Sequence, residues 1–264
     1  MTKAIAIGFT CHSKNVPSPA EMIHAYGVLE SMMNRLGAAP NWFSADDGIG
    51  RGDYKRVAGA FHKKVLERGA VGYRSLGLAA APAASNAPGY DSFVEVGFTF
   101  MPSAGVIEVE FVAHEPYLQC SSTTCDEIVA ELAQLWPWDY GFGFERDASA
   151  APGVYLGGAS SNLLSPEDER RTALWYESSH DFYKGVEPPR RLVMVRDIFP
   201  YNMVGPEHLA RRLPDGRSLH EFIEADADSE LRPLAGNLWL WKVKADRTDA
   251  VREKLVGKGI IIAE

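Results

Sequence analysis

The sequence predicts an α+β protein in which helices pack on antiparallel or mixed β-sheets, as one body or as two intimately packed halves. Three observations carry this. Helix-opening signatures recur at Ser18-Pro-Ala-Glu21, Thr124-Cys-Asp-Glu127, Ser165-Pro-Glu-Asp168 and Ser218-Leu-His-Glu221. Between them lie alternating apolar and polar segments, clearest in 94–100 and 107–111. The chain then finishes in strand, helix, strand order across 238–262, with no repeat at solenoid periods. At 264 residues it is long enough for a substantial buried core, and a single domain over 1–264 is expected, any subdivision falling near 79–90.

Taken in order, residues 3–10 alternate weakly and read as a first strand. The helix opened by Ser18 carries Met22, Tyr26, Leu29, Met33 and Leu36 at steps of three and four until Gly37 stops it. Residues 41–44 read as a short strand and 45–52 as a loop. A second helix is expected over about 53–69, with Tyr54, Val57, Phe61 and Val65 on one face. Residues 78–90, rich in Ala and Pro, read as a surface loop or linker.

A hairpin follows. Val94, Val96, Phe98 and Phe100 alternate, residues 102–105 turn, and Ile107, Val109 and Phe111 alternate again, so Glu95, Glu108 and Glu110 share its polar face. The helix from Thr124 to about Trp136 turns Ile128, Leu132, Leu135 and Trp136 inward and Glu127, Glu131 and Gln134 outward. Pro137 ends it, and a glycine-bearing strand begins. Beyond a loop at Gly157-Gly158, a helix runs from Ser165 to roughly His180, Arg191–Phe199 reads as a buried strand, and short helices open at Gly205-Pro206 and Ser218. A strand over 238–243, a helix over 248–255 and a closing strand over 259–262 complete the chain.

Charge is distributed unevenly. Residues 91–147 hold eleven carboxylates (Asp91, Glu95, Glu108, Glu110, Glu115, Asp126, Glu127, Glu131, Asp139, Glu145 and Asp147) against the single cation Arg146, a net −10, whereas 1–90 is +4 and 148–264 is −2. This pattern disfavours nucleic acid as a partner, since phosphate binding needs clustered Lys and Arg, and it favours a basic protein. The amino terminus is too short in apolar residues for a secretory signal, no run approaches a membrane span, and three cysteines (Cys11, Cys120, Cys125) make no disulfide framework; together these predict a cytoplasmic protein with no membrane partner.

Catalytic chemistry is sparse. Cys120, Cys125 and His114, with Cys11 or His12, are the conceivable metal ligands, but no paired Cys-x-x-Cys, His-Glu-x-x-His or EF-hand pattern exists, and unrelated buried thiols are the expectation. Ser160 lacks the closing glycine of a nucleophile elbow, and phosphate loops are absent. His180-Asp181 could form an acid–base pair, although a helix-end histidine held by local carbonyls is favoured. No cofactor and no catalytic residue is expected. The acidic centre is instead accompanied by Trp136, Trp138, Tyr140, Phe142 and Phe144, the mixture that anchors interfaces, although most of the five are expected in the core.

The order of these features resembles the type VI secretion immunity proteins. The resemblance is carried by Trp42-Phe-Ser-Ala-Asp-Asp47, the acidic strand and helix ending in Pro137-Trp-Asp-Tyr-Gly-Phe-Gly143, and above all Ile198-Phe-Pro-Tyr-Asn-Met-Val-Gly-Pro-Glu-His-Leu209 ahead of the strand–helix–strand finish. It implies an α+β, non-catalytic protein that binds and blocks one cognate toxin, and the acidic centre adds that the toxin is basic, as a nuclease would be. The expected toxin-binding residues are Glu95, Glu108, Glu110, Glu115, Glu127, Glu131, Trp138, Asp139 and Tyr140, acting as one docking face. The chain departs from the family in segment 79–90 and in the strength of its acidic centre. The rival readings are a small hydrolase using a carboxylate pair or His180, and an oligomer subunit with an exposed apolar patch.

Overall fold

A computed structural model of the chain describes residues 2–13, 15–46, 54–57, 59–85, 92–118 and 123–264. Its strands form one ten-stranded sheet. They are β1 (Lys3–His12), β2 (Trp42–Asp46), β3 (Lys55–Arg56), β4 (Ser75–Ala80), β5 (Val94–Met101), β6 (Val106–His114), β7 (Tyr140–Asp147), β8 (Tyr201–Val204), β9 (Ser229–Pro233) and β10 (Trp239–Val243), in the spatial order β3-β2-β4-β5-β6-β1-β7-β8-β10-β9. Every strand pairing is antiparallel; a single bridge, Val195 to Ile261, is parallel.

β1 lies at the centre, between β6 and β7. Its weak alternation has a simple cause: residues 4–11 are all buried, so both of its faces must be apolar or small. Ile5, Ile7, Phe9 and Cys11 point to a first face, covered by α1 (Pro19–Arg35), α2 (Ala60–Glu67) and α3 (Thr123–Leu135). Ala6 belongs to the core of the second face, covered over β1, β7, β8 and β10 by the helices α4 (Pro152–Gly157), α5 (Pro166–Ser178), α8 (Pro206–Ala210), α9 (Leu219–Ala225) and α10 (Thr248–Leu255). Two further short helices, α6 (Asp181–Lys184) and α7 (Arg190–Val193), cross from α5 to the sheet.

Three of the four expected helix starts follow their signatures; the exception is α3, which already includes Thr123 and Thr124, so Thr124 is inside the helix and does not cap it. At α1, Ser18 Oγ accepts from the Glu21 N–H while Glu21 accepts from the Ser18 N–H at 2.6 Å, and Met22, Tyr26, Leu29, Met32 and Met33 are buried. Such a cap contributes about 1 kcal/mol. Ser218 makes the same reciprocal cap with Glu221 at α9, while at α5 Ser165 Oγ accepts from the Asp168 N–H without a return bond.

Several expectations are corrected. Tyr54 and Val57 flank strand β3, and α2 begins only at Ala60, behind Gly59. Segment 78–90 begins as buried strand, because β4 lies between β2 and β5; residues 86–90 lie outside the described residues. Arg191–Phe199 is a helical turn followed by an extended run rather than a strand, and 259–262 meets it only through the Val195 bridge. A short apolar run has no periodicity that separates strand from buried coil or helix, and Pro188-Pro189 ahead of it favours a turn. Strand β9 and helix α4 carry too little apolar pattern to be read from sequence.

Gly141 shows how tightly the first face closes. A Cβ there would meet Phe9 Cδ1 at 2.8 Å, Met203 Cε at 2.9 Å and the Gly8 carbonyl oxygen at 2.9 Å, and the last is backbone that cannot move aside. Gly97 has nothing nearer than the Leu76 carbonyl at 3.9 Å. Gly141→Ala is therefore expected to cost about 2 kcal/mol in urea unfolding, with Gly97→Ala near neutral; equal effects would show that side-chain space does not separate the two sites.

Candidate functional site

Among the described residues, the helices cover the second face of the sheet over only part of its width. Across β2, β4, β5 and β6 its side chains are half-buried: Ser44, Ser75, Glu95, Thr99, Glu108 and Glu110. The antiparallel register sets them in rows. One row runs Ser44, Gly77, Gly97, Glu110, Gly8; the next runs Asp46, Ser75, Thr99, Glu108, Thr10. Of the glycines in the Glu110 row, Gly97 has no side chain near it, whereas Leu156 fills the space over Gly8 and Ser44 with Tyr54 fills the space over Gly77. Among the described residues this leaves a furrow over Gly97, with Tyr54 and Ser44 on one side and α4 on the other.

Tyr54 stands over Gly77, where a Cβ would come within 3.2 Å of its hydroxyl and closer still to Ser44 Oγ. That hydroxyl donates to Glu95 Oε1 at 2.8 Å. Burial first, and then the Glu95 charge, hold its pKa well above the ordinary value, so it remains a donor at any physiological pH. On the other side, a Cβ on Gly157 of α4 would lie 2.5 Å from Glu110 Oε1, so the helix packs directly on that carboxylate. Ser75 and Thr99 share a hydroxyl hydrogen bond of 2.9 Å. Glu95 and Glu110 thus lie on one face of the sheet, diagonal to each other on adjacent strands as the hairpin register predicts, and neither is free of partners.

Glu108 has a different role. Its Oε1 takes Arg191 Nη1 at 2.8 Å, and Arg191, 1% exposed, also donates to Ser178 Oγ, Thr10 Oγ1 and the Trp175 carbonyl while stacking 3.7 Å over the Trp175 ring. Burial pushes this guanidinium's pKa down and Glu108 opposes the shift. Arg191 is delivered by its neighbour: Arg190 grips the fully buried Asp181 through Nε and Nη2, each at 2.8 Å, and through its backbone N–H. Burial raises the Asp181 pKa, but those hydrogen bonds outweigh it and hold the carboxyl below its usual range. Arg196 is buried as well, donating to the Leu156 and Tyr155 carbonyls, and burial lowers its pKa to about 10. These two arginines pin α4 and α5 to the sheet and mark the furrow's covered margin.

The structure divides the other residues expected at one docking face. Glu127 and Glu131 lie on α3, over the first sheet face and so opposite Glu95 and Glu110; Glu127 is exposed and Glu131 pairs with Arg35. Asp126 is held by Arg232 and Lys242, each at 2.9 Å. Asp139 accepts from the His12 N–H at 2.7 Å, which ties the start of β7 to the end of β1. Glu115 is half-buried just beyond β6. Trp138 is 6% exposed, its indole N–H given to the Leu132 carbonyl, and Tyr140 is fully buried, its hydroxyl accepting from the Arg196 N–H. Neither aromatic is an interface anchor. The acidic centre is therefore not one surface: a hairpin and a helix adjacent in sequence cover opposite faces of the sheet, and much of its charge is spent on internal pairs.

The catalytic candidates are dispersed. Asp181 belongs to Arg190, and His180 Nδ1 lies against Ser179 Oγ and the Tyr176 carbonyl, so His180-Asp181 makes no acid–base pair. Cys11 and Cys125 are buried thiols of the first-face core, and Cys120 and Asp91 lie outside the described residues. Among the described residues no cluster of three or more His, Cys, Asp or Glu could hold a metal ion, and no helix is long and apolar enough to cross a membrane.

Neither a protein-family model nor a curated protein sequence matches the chain. Among solved structures, the Pseudomonas aeruginosa T6SS protein PA0821 is similar in fold, with a TM-score of 0.60 over 98% of this chain and 73% of that chain, at 8% sequence identity. At that identity the likeness is one of fold. Sequence reasoning missed Tyr54 because its spacing with Val57 and Phe61 mimics a helix face, and it missed Arg191 because an arginine within an apolar run carries no signal of its distant partner.

Proposed function

We propose that this chain is a type VI secretion-associated binding protein that neutralises a cognate effector, docking the furrow carrying Glu95 and Glu110 onto a basic element of that partner. The observation that carries the reading is the second face of the sheet, which the helices among the described residues cover only in part. There Glu110 sits in register between Gly97 and Gly8, Glu95 lies diagonal to it between Ala79 and Val112, and α4 packs directly on the Glu110 carboxylate. The order of sequence motifs, which resembles secretion immunity proteins, and the fold shared with a T6SS protein both support the secretion context. Glu108 belongs to the scaffold in this reading, and Glu127 and Glu131, on the opposite side, take no part. A toxin that binds nucleic acid would present the Lys and Arg that such a furrow complements.

The test uses the effector encoded in the neighbouring reading frame. Glu95→Gln with Glu110→Gln is expected to slow association about tenfold, and the wild-type association rate is expected to fall as salt rises, because exposed charges are screened within about 8 Å at physiological ionic strength. Glu127→Gln with Glu131→Gln is expected to change nothing. Unaltered association in the first double variant would remove the furrow from the interface.

A further inference from the structure

Across the carboxyl end of α4 from the furrow lies a second concavity. It is an open cleft of about 370 Å³ lined by Gly158, Ala159, Ser160, Glu169, Ala173 and Tyr176. Gly157 touches Glu110 and Gly158 lines the cleft, so one helix end separates the two. The cleft has apolar sides at Ala159 and Ala173, one aromatic wall and one charged group. Tyr176 is 52% exposed, and the His180 ring braces it edge-on at 5.1 Å.

Glu169 is the informative residue. The acids beside it in the first turn of α5 are neutralised: Glu167 pairs with Arg171, and Asp168 with Arg146 at 2.9 Å. Arg170 is turned away to the Glu264 carbonyl. Glu169 has no ion pair among the described residues; it accepts the Ser161 N–H on Oε1 at 2.6 Å and the Ser160 hydroxyl on Oε2 at 2.9 Å. A carboxylate offers about four acceptor positions, two on each oxygen. One on each oxygen is used, so a matching pair is left on a group whose orientation is already set.

We propose that this cleft receives an arginine side chain of the bound partner, its stem against Ala159 and Ala173, its guanidinium stacked on Tyr176 and forked onto Glu169. Two parallel acceptors beside an aromatic face suit a planar guanidinium better than an ammonium, which has neither the fork nor the stacking surface. The one charged group among the cleft's lining residues is a carboxylate, and the Ser160 hydroxyl already donates to it, which fits an inserted cationic side chain rather than a small anionic metabolite. This deepens the effector-binding reading and rests on it for the identity of the partner, but the cleft's chemistry can be measured without the effector.

The experiment is a titration of the ¹⁵N-labelled full chain with ethylguanidinium, followed by amide shifts. Saturable shifts at residues 158–161 and 173–176 are expected, about fivefold weaker binding in Glu169→Gln, about threefold weaker in Tyr176→Ala, and weaker binding of propylammonium than of ethylguanidinium. Glu169→Gln can keep the Ser160 and Ser161 contacts, and an otherwise unchanged spectrum shows that it is folded. Shifts that are non-saturable, that lie elsewhere, or that persist equally in Glu169→Gln overturn the cleft, and equal binding of propylammonium overturns the arginine. Because no effector is present, these outcomes are independent of the Glu95 and Glu110 test: a cleft that binds guanidinium beside a furrow that plays no part refutes only the furrow.

Discussion

Arg191→Ala is expected to lower the unfolding free energy by about 3–5 kcal/mol, the cost of breaking a buried pair and leaving one charge uncompensated. The guanidinium makes five contacts at once, to Glu108, Thr10, Ser178, the Trp175 carbonyl and the Trp175 ring, so its loss strands the half-buried Glu108 carboxylate and opens a gap between α5 and the sheet. Urea unfolding of Arg191→Ala, Glu108→Gln and the double variant measures the coupling. The double variant should be more stable than the sum of the single losses predicts, because the stranded charge is gone. Strict additivity would mean that the pair is not coupled. Glu108→Lys faces Arg191 with a like charge, so it is expected to destabilise the fold, and any binding defect it shows reports on folding first.

The second large effect is an acid-dependent loss of stability centred on His208. The imidazole is buried, stacks on Tyr140 at a centroid distance of 5.2 Å and accepts the Gly205 N–H on Nδ1 at 3.3 Å, while Nε2 has no hydrogen bond of good geometry among the described residues and faces the backbone of Arg191 and Met194. Burial lowers its pKa from 6.5 to about 4. The sign follows from linkage. Between those two values the unfolded chain binds a proton that the folded chain refuses, so stability is complete above about pH 6.5 and falls as the pH drops toward 4. The loss amounts to about 3 kcal/mol by pH 4. The difference in unfolding free energy between pH 7 and pH 4.5 should shrink by about 2 kcal/mol in His208→Gln, whose amide oxygen can still accept from Gly205. An unchanged difference would place the acid sensitivity elsewhere. Asp181 adds a smaller effect in the same direction at lower pH: its carboxyl is held below 3.8, so its contribution is lost only as the pH falls through that depressed value.

The two effects meet in one region. His208 stacks on Tyr140, whose hydroxyl takes the Arg196 N–H, and Arg196 lies 5.5 Å from the Trp175 ring that Arg191 covers. Apart from His208 Nε2 and Arg196 Nε, this polar layer between the sheet and its second helix cover finds its hydrogen-bond partners within the described residues. Through Arg191 and Arg196 it ties α4 and α5, which border the furrow and the cleft, to the sheet, and a pre-organised binding surface loses less conformational entropy when a partner arrives.

By itself the sequence determined the α+β class, the capped helices at Ser18, Ser165 and Ser218, the hairpin of β5 and β6, and the shared face of Glu95, Glu108 and Glu110. Each of these rests on spacing within about a dozen residues, where helix and strand periods leave their mark on the order of side chains. Tertiary structure alone decided that the hairpin's acids and those of α3 face opposite ways, that Glu108 is claimed by a residue 83 positions later, and that Trp138 and Tyr140 are core. It also decided that Glu169 and Tyr176 border a cleft. Eleven carboxylates in one stretch look like one surface when read along the chain. A central strand drawn from the amino terminus, however, separates the hairpin from β7, and α3 crosses to the first face between them, so the charge is divided by topology, which local order does not encode.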